Sequence, residues 1–192
     1  MRKAIAVLAV LATLALPALA QTAVYSANAV GFVKISVPPG GNFALVGLNF
    51  EAVGGGDMTL MDLFGTNSLR SAPVPQNADK VLLYNVDEQR YYTYAFKQAD
   101  SSFHEISPVN QWNGASSNPS IRAGEGFWIQ SAKNSTETNV VTLLGQVISA
   151  DEVEFSIVPG LQLLGCPFTA WVDLAQEDWV GQGARAAAVP QL

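Results

Sequence analysis

The chain has 192 residues, of which 49% are hydrophobic, and its 10 basic and 16 acidic side chains give a net charge of −6 at pH 7. Such a length can bury a sizeable core. The acidic balance disfavours nucleic acids and anionic membrane surfaces as partners, because both repel a negatively charged protein. A single cysteine, Cys166, excludes an intramolecular disulfide, so stability must come from packing.

Residues 1–20 have the pattern of a secretory signal peptide. They begin with two basic residues, continue with an apolar stretch over 4–16, and end on the Ala-Leu-Ala sequence of a cleavage site. The apolar stretch is shorter than the roughly 20 residues of a membrane-spanning helix. We therefore expect cleavage before Gln21 and export to the periplasm, cell surface or medium, with no transmembrane segment in the mature chain.

The mature chain opens with two strand patterns and a turn between them. Residues 30–37 alternate apolar and polar side chains, which is typical of a half-buried strand. The sequence PPGGN at 38–42 ends that strand, because prolines lack the ladder donor and glycines accept a positive φ. A second strand follows at 43–48, so this stretch is predicted to be a hairpin or a sharp corner.

One short helix is predicted next. Apolar residues recur at helical spacing over 58–64, Asp57 and Thr59 are both suitable caps, and Gly65 is a suitable end. This pattern predicts one or two helical turns.

The centre of the chain is dominated by strand patterns. Residues 80–96 read as a hairpin of two strands joined by a polar turn, and further strands are predicted at 127–131 and 140–147. Residues 98–119 are predicted to be mainly loop. Together these patterns predict an all-β fold, mainly antiparallel, that is a barrel or a sandwich with one or two short helical turns.

An internal repeat is indicated by two similar segments, 33–50 and 154–168. In both, a Val-Pro pair precedes a glycine turn and an apolar run that closes on Gly-x-x-Phe, which makes Gly47 equivalent to Gly165. The two segments are expected to form the same strand–corner–strand unit.

The repeat divides the chain into a signal peptide (1–20), a β-domain that is the first copy (21–150), and the start of a second copy (151–192). The Val-Pro-Gln block at 74–76 leads into a hairpin, whereas its equivalent at 189–191 is followed by one residue. We expect the second copy to be incomplete, as in a fragment. The alternative is that the partial copy completes the sheet of the first domain, which would bury Trp171 and Trp179.

Catalytic and metal-binding patterns are sparse. The single histidine, His104, is expected to be an exposed loop residue, and Cys166 to be a small buried hydrophobe. The sequence contains no G-x-S-x-G nucleophile motif and no calcium-loop motif. The prediction is therefore a non-catalytic protein with no metal or cofactor, and a secreted hydrolase is the least favoured alternative.

The aromatic residues allow two interpretations. Stacking of sugar rings on exposed aromatic faces would make the protein a glycan-binding module, with the candidate residues Tyr91, Tyr92, Tyr94 and Trp112. The favoured interpretation is cross-strand packing, in which Tyr92, Tyr94 and Phe96 lie on the buried face of their hairpin and Trp128 is mostly buried.

Three motifs occur in order along the chain: V-P…G-x-x-F at 37–50 and again at 158–168, D-K-V…Y at 79–94, and A-G-E-G-F-W-I at 123–129. This order resembles a family of uncharacterised exported bacterial β-domains that carry V-P-x-G…L-[VI]-G-x-P-F and G-[EQ]-G-F-[WF]-[IV] motifs. The first opening departs from that pattern at Leu48-Asn49. The resemblance implies an exported β-fold and carries no catalytic residue.

These observations lead to one expected function and one alternative. We expect a non-catalytic exported β-domain with a structural, adhesive or cell-surface-associated role, whose partners would be polysaccharide or other surface proteins. The alternative is a glycan-binding module that uses exposed aromatic residues.

Overall fold

The structure, a computed structural model, describes residues 29–108, 110–112, 115–150 and 152–169. The predicted signal peptide, the expected burial of Trp171 and Trp179, and the Val-Pro-Gln block at 189–191 lie outside the described residues.

Ten strands, one α-helix and one 3₁₀ turn form within the described residues. The strands are β1 (Val30–Val37), β2 (Phe43–Gly47), β3 (Phe50–Glu51), β4 (Met58–Thr59), β5 (Lys80–Asn85), β6 (Arg90–Lys97), β7 (Ser102–Glu105), β8 (Ser120–Ile121), β9 (Gly126–Gln130) and β10 (Asn139–Val147). The helix α1 is Leu60–Phe64, and the 3₁₀ turn is Pro75–Asn77.

The strands build three antiparallel sheets. The largest has the order β2-β9-β5-β6-β7, the second has the order β1-β10-β3, and β4 pairs with β8. The two larger sheets enclose a common core in a sandwich-like arrangement, and no closed barrel is formed by the described strands. The predicted all-β, mainly antiparallel class with a short helix is confirmed.

The turn at 38–42 is a corner, because the strands on its two sides join different sheets. Strand β1 pairs with β10 along its whole length, whereas β2 pairs with β9. The backbone N–H of Gly40 donates to Ser135 O at 3.0 Å, and that of Gly41 donates to Ser131 Oγ at 3.1 Å. These bonds hold the corner against the 131–135 turn, so the chain crosses from one layer to the other at a fixed place.

The core lies between the two larger sheets and is closed at one end by α1. Its buried strand residues include Val37, Val141 and Leu143 from one sheet and Val81, Phe127 and Ile129 from the other. The Phe64 ring of α1 lies 6.1 Å from the Phe127 ring and 6.2 Å from the Phe103 ring, measured between centroids. The Phe64–Phe127 pair is edge to face and the Phe64–Phe103 pair is tilted, and aromatic contacts of this kind add to the gain from apolar burial.

Helix α1 forms where its caps predict it. Thr59 Oγ1 accepts from the N–H of Asp62 at 3.2 Å, and Asp62 Oδ2 accepts from the N–H of Thr59 at 2.9 Å. This reciprocal capping box satisfies donors that the first turn leaves free. Gly65 ends the helix at φ +56°, with its N–H bonded to Met61 O at 2.9 Å. Five residues suffice because the helix buries Leu60, Leu63 and Phe64.

The hairpin of β5 and β6 shows the predicted division of its aromatic residues. Tyr94 and Phe96 are buried, and Tyr92 is partly buried against the core. The prediction that all three lie on the inner face is confirmed. The prediction of mainly loop over 98–119 is wrong at β7, which pairs with β6 and buries Phe103 opposite Phe96.

Asp79 is a buried carboxylate that joins three parts of the chain. Its Oδ1 accepts from the N–H of Ala132 at 2.7 Å, and its Oδ2 accepts from the N–H of Arg70 and from Asn139 Nδ2, both at 2.9 Å. The residue is 2% exposed. The bonds tie the start of β5 to the connector before it, to the turn after β9 and to the start of β10.

Residues 154–168, which were predicted to begin a second copy, pack against β9 without forming strands. Leu164 makes an isolated bridge to Glu125, and Gly165 donates to Gly124 O at 2.8 Å. The expected strand–corner–strand unit is absent from the described residues 154–168, because both edges of β9 beyond this bridge are taken by β2 and β5. Cys166 is exposed on this segment, so its predicted burial is wrong.

Glycines allow this segment to approach closely. A Cβ atom on Gly47 would lie 3.0 Å from the Cα of Gly165, and a Cβ atom on Gly124 would overlap the Phe155 ring. Gly47 and Gly165, the two glycines that the sequence comparison paired, therefore lie against each other. Segment 154–168 can pack this closely only because residues 47 and 124 are glycines and have no Cβ atom.

Gly124→Ala should destabilise the protein more than Gly54→Ala. Both glycines have a similar positive φ, +89° and +96°, but nothing lies within 4 Å of a Cβ atom on Gly54. The difference between the two variants therefore isolates the overlap with Phe155. We expect G124A to lower the urea midpoint further, and the double variant with Phe155→Ala to regain the difference. Equal midpoints for G124A and G54A would contradict the described docking.

Asp79→Ala should lower the free energy of unfolding by about 3 kcal/mol or more, because three donors lose a buried acceptor. Asp87→Ala is the matched control, since Asp87 is exposed in the β5–β6 turn. Urea unfolding followed by tryptophan fluorescence measures both. A loss no larger than that of the control would show that the buried carboxylate is not a structural tie.

Candidate functional site

The five-stranded sheet has an outer face as well as a core face, because neighbouring side chains along a strand point to opposite sides. Cross-strand pairing places Leu45 beside Trp128 and Tyr84 beside Tyr91 on that outer face. Phe43 lies two residues before Leu45 on the same side of β2. We call these five residues the outer strip: Phe43, Leu45, Trp128, Tyr84 and Tyr91.

The rings of the outer strip pack against one another edge to face. Phe43 and Trp128 have centroids 6.1 Å apart at an interplanar angle of 83°, and Tyr84 and Tyr91 are 4.9 Å apart at 65°. Trp128 Nε1 donates to the Tyr91 hydroxyl at 3.2 Å, which connects the two pairs. The strip is a continuous ridge of steeply inclined rings and lacks a flat platform.

The outer strip is apolar and accessible. Phe43 is 49% exposed, Leu45 56% and Tyr91 41%. Trp128 has intermediate exposure on this outer face, so it belongs to the strip and not to the core. Contiguous exposed apolar residues on a folded domain mark interaction surfaces.

The four aromatic residues predicted as a glycan site do not come together. Tyr91 lies on the outer face, Tyr92 and Tyr94 point toward the core, and Trp112 lies beside β7 at the other end of the sheet. Tyr92 contacts Arg90, whose guanidinium lies 4.4 Å from the ring centroid. Burial raises the pKa of Tyr94 to about 12, and nearby Glu105 adds to the effect.

Trp112 covers a histidine that the sequence predicted to be exposed. The Trp112 ring lies 5.9 Å from the His104 ring, and Trp112 Nε1 donates to Pro73 O at 2.8 Å. His104 is 2% exposed and belongs to β7, where it pairs with Ala95. The prediction of an exposed loop histidine is therefore wrong, because strand pairing and the Trp112 ring bury it.

His104 lies in a cluster that contains the residue types of a hydrolase triad but not its geometry. Its Nε2 lies 2.9 Å from Asp100 Oδ2 and 3.0 Å from Ser102 Oγ, while Nδ1 has no hydrogen-bond partner among the described residues. In a triad the carboxylate and the nucleophile bond to different ring nitrogens. Here Ser102 Oγ donates to Asp100 Oδ1 at 2.8 Å, so the cluster closes the β6–β7 turn and does not activate the serine.

An open cavity of about 420 Å³ lies next to Tyr91 on the outer face. Its lining includes Lys80, Thr93, Asn110, Gln130 and Lys133. Lys80 is 4% exposed, and its side chain lines the cavity from the start of β5. Burial lowers the pKa of Lys80, the charge of Lys133 lowers it further, and Asp79 acts in the opposite direction.

A second apolar surface lies on the outer side of the three-stranded sheet. Phe32 and Leu144 are paired across β1 and β10 and are 66% and 54% exposed. Val30 and Val140, on the same side, are 63% and 53% exposed. We call these four residues the second face. It lies on the side of the sandwich opposite the outer strip, since the inner sides of the two sheets meet in the core.

The sequence did not single out Phe43, Leu45 or Lys80 as functional residues. The alternating pattern of β2 is visible in the sequence, and it would have placed Phe43 and Leu45 on one side. For Lys80 there was no local signal, because its burial depends on β6, β9 and the distant residues Ile106 and Pro108 around the cavity.

Two absences hold for the part of the chain that the structure describes. No group of three or more His, Cys, Asp or Glu residues there could hold a metal ion. None of its helices has the length and hydropathy needed to cross a membrane.

Comparisons with known proteins found no match: no family model, no curated protein and no solved structure is significantly similar to this chain.

Asp100→Asn should reduce the loss of stability on acidification. The hydrogen bond from Ser102 lowers the pKa of Asp100 to about 2, with further contributions from His104 and Lys97. A lowered folded-state pKa stabilises the protein above the unfolded value of about 3.9, and this stabilisation is lost as the pH falls toward 2. Thermal unfolding at pH 5 and at pH 2 should therefore differ less for D100N than for the wild type.

Asp87→Asn is the control for this measurement, because Asp87 is an exposed carboxylate outside the cluster. If D100N and D87N show the same change in melting temperature between the two pH values, the hydrogen bonds from Ser102, His104 and Lys97 to Asp100 do not stabilise the fold.

Proposed function

We propose that the protein is a non-catalytic exported β-domain with an adhesive, cell-surface-associated role. The observation that carries this proposal is the outer strip, where the exposed residues Phe43, Leu45 and Tyr91 lie around the partly exposed Trp128. The exposed parts of these side chains add no hydrophobic burial to folding, and contiguous apolar patches are typical of interaction sites.

The second face supports the same proposal. A sandwich with exposed apolar residues on both outer sides can contact partners on two sides at once, as a linking element requires. Phe32 and Leu144 provide the largest exposed side chains of that second surface. Export is proposed from the signal-peptide pattern of residues 1–20.

A glycan-binding role is the second candidate. Of the four aromatic residues predicted to bind the glycan, only Tyr91 lines the cavity considered for this role. The ring pairs of the outer strip meet at 83° and 65°, so they do not form the flat platform that supports several stacked sugar rings. The observation in favour of this candidate is the cavity beside Tyr91, whose polar lining could bind a single sugar unit.

The double variant Phe43→Ser/Leu45→Ser should release the protein from cells. We would express the full chain with its first 20 residues in a Gram-negative host and measure the surface-bound and released fractions by protease accessibility and immunoblotting. We expect the surface-bound fraction to fall by about ten-fold, because two apolar contacts are lost. Circular dichroism checks that the fold is retained.

Val53→Ser is the control, because Val53 is 71% exposed but lies outside both apolar surfaces. An unchanged surface-bound fraction for the double variant would contradict an adhesive outer strip. Retention of the protein in the cytoplasm with residues 1–20 intact would contradict export.

A further inference from the structure

Lys80 is an almost buried lysine that lines the outer cavity. Its residue is 4% exposed, and burial and the charge of Lys133 lower its pKa, whereas Asp79 acts in the opposite direction. Burial of a charge is costly, so a nearby anion would stabilise it. The carboxylate of Asp79 accepts from Ala132, Arg70 and Asn139, so it acts on Lys80 through its charge alone.

The position of Lys80 on β5 places its side chain on the outer face of the sheet. Val81 is fully buried in the core, and alternation along β5 therefore places Lys80 on the other side of the sheet. There it pairs in register with Ala95 and Gln130 and lines the cavity beside Tyr91.

A second cation stands at the rim of the same cavity. Lys133 is exposed and lies close enough to Lys80 to lower its pKa, which places two like charges near one opening. Like charges held together without an intervening anion repel each other. The cavity is therefore locally positive on a protein whose net charge is −6.

The remaining lining is suited to hydroxyl groups and to a ring. Gln130 Nε2 donates to Gly41 O at 3.0 Å, which leaves its Oε1 as an acceptor, and Thr93 contributes a hydroxyl. The exposed Tyr91 ring forms one side of the opening. The volume of about 420 Å³ falls within the roughly 300–1,000 Å³ range of small-molecule sites.

We propose that this cavity binds the carboxylate of an acidic sugar, a uronic-acid unit of a polysaccharide, with Lys80 and Lys133 pairing the carboxylate and Tyr91 contacting the sugar ring. An inorganic anion would satisfy the lysines but would leave the hydroxyl-binding groups and the Tyr91 ring unused. This inference rests on the proposed adhesive role, because it names the class of surface polymer that the domain contacts.

The test uses trigalacturonic acid and its methyl ester, which keeps the rings and removes the charges. Isothermal titration calorimetry of the full mature chain should show binding of the acid that weakens with added NaCl, and much weaker binding of the ester. Equal affinity for the acid and the ester would overturn the proposal. Equal affinity for a triglutamate peptide would also overturn it, because the partner would then be an acidic polypeptide.

Lys80→Met keeps the side-chain stem and removes the charge. It should weaken binding of trigalacturonate by about ten-fold or more, as expected for loss of a charged hydrogen bond. Lys34→Met is the matched control, because Lys34 is exposed on β1, outside the cavity. Unchanged affinity in K80M would overturn the assignment.

Stability separates a binding lysine from a structural one. Because burial disfavours the charge of Lys80, its removal should leave the melting temperature of K80M equal to or above that of the wild type. A lower melting temperature would mean that Lys80 supports the fold. In that case Lys133→Met decides the matter, since Lys133 is exposed, and unchanged trigalacturonate affinity in K133M overturns the proposal.

The proposed adhesive role and this inference fail in different ways. If trigalacturonate does not bind but the F43S/L45S variant still leaves the cell surface, the sugar-acid site is wrong and the adhesive role stands. If the wild-type protein never attaches to cells, the adhesive role itself is wrong.

Discussion

The carboxylate of Asp79 is the interaction on which the arrangement of both layers depends. It accepts three hydrogen bonds from separate parts of the chain, and two of the donors are the backbone N–H groups of Ala132, just after β9, and of Arg70, in the connector before β5. Because β5 begins at the next residue, the same bonds fix where the central hairpin starts and which of its residues face outward. In the sequence Asp79-Lys80-Val81, the aspartate ties the layers together, the lysine lines the outer cavity and the valine enters the core.

Much of the fold follows from local patterns. The alternation over 80–96 predicted which tyrosines face the core, and the Thr59 cap and Gly65 predicted where α1 begins and ends. These features depend on residues a few positions apart, which is the range that strand alternation and capping reach. The corner at 38–42 was left open between two forms, because a hairpin and a corner use the same turn residues and differ only in the distant partners of their strands.

The candidate site was less accessible to sequence reasoning, because it is assembled from distant residues. His104 is buried by the Trp112 ring and by pairing with Ala95. The residues next to His104 in the sequence do not predict either contact. Lys80 was overlooked because a lysine at the start of a strand is ordinarily exposed, so its sequence position did not predict burial. Cys166 was expected inside because its neighbours are apolar, but segment 154–168 lies on the surface, where Leu161 and Leu164 are also exposed.

The way in which segment 154–168 meets β9 decides how the domain carries load. Tension applied from Phe168 toward the body of the protein reaches the bond from Gly165 to Gly124 first and the bond from Gly126 to Leu163 next, before any strand of the two main sheets. The segment is held by isolated bonds and not by a ladder, so tension should detach residues 154–168 before it unfolds the sheets built by residues 30–147.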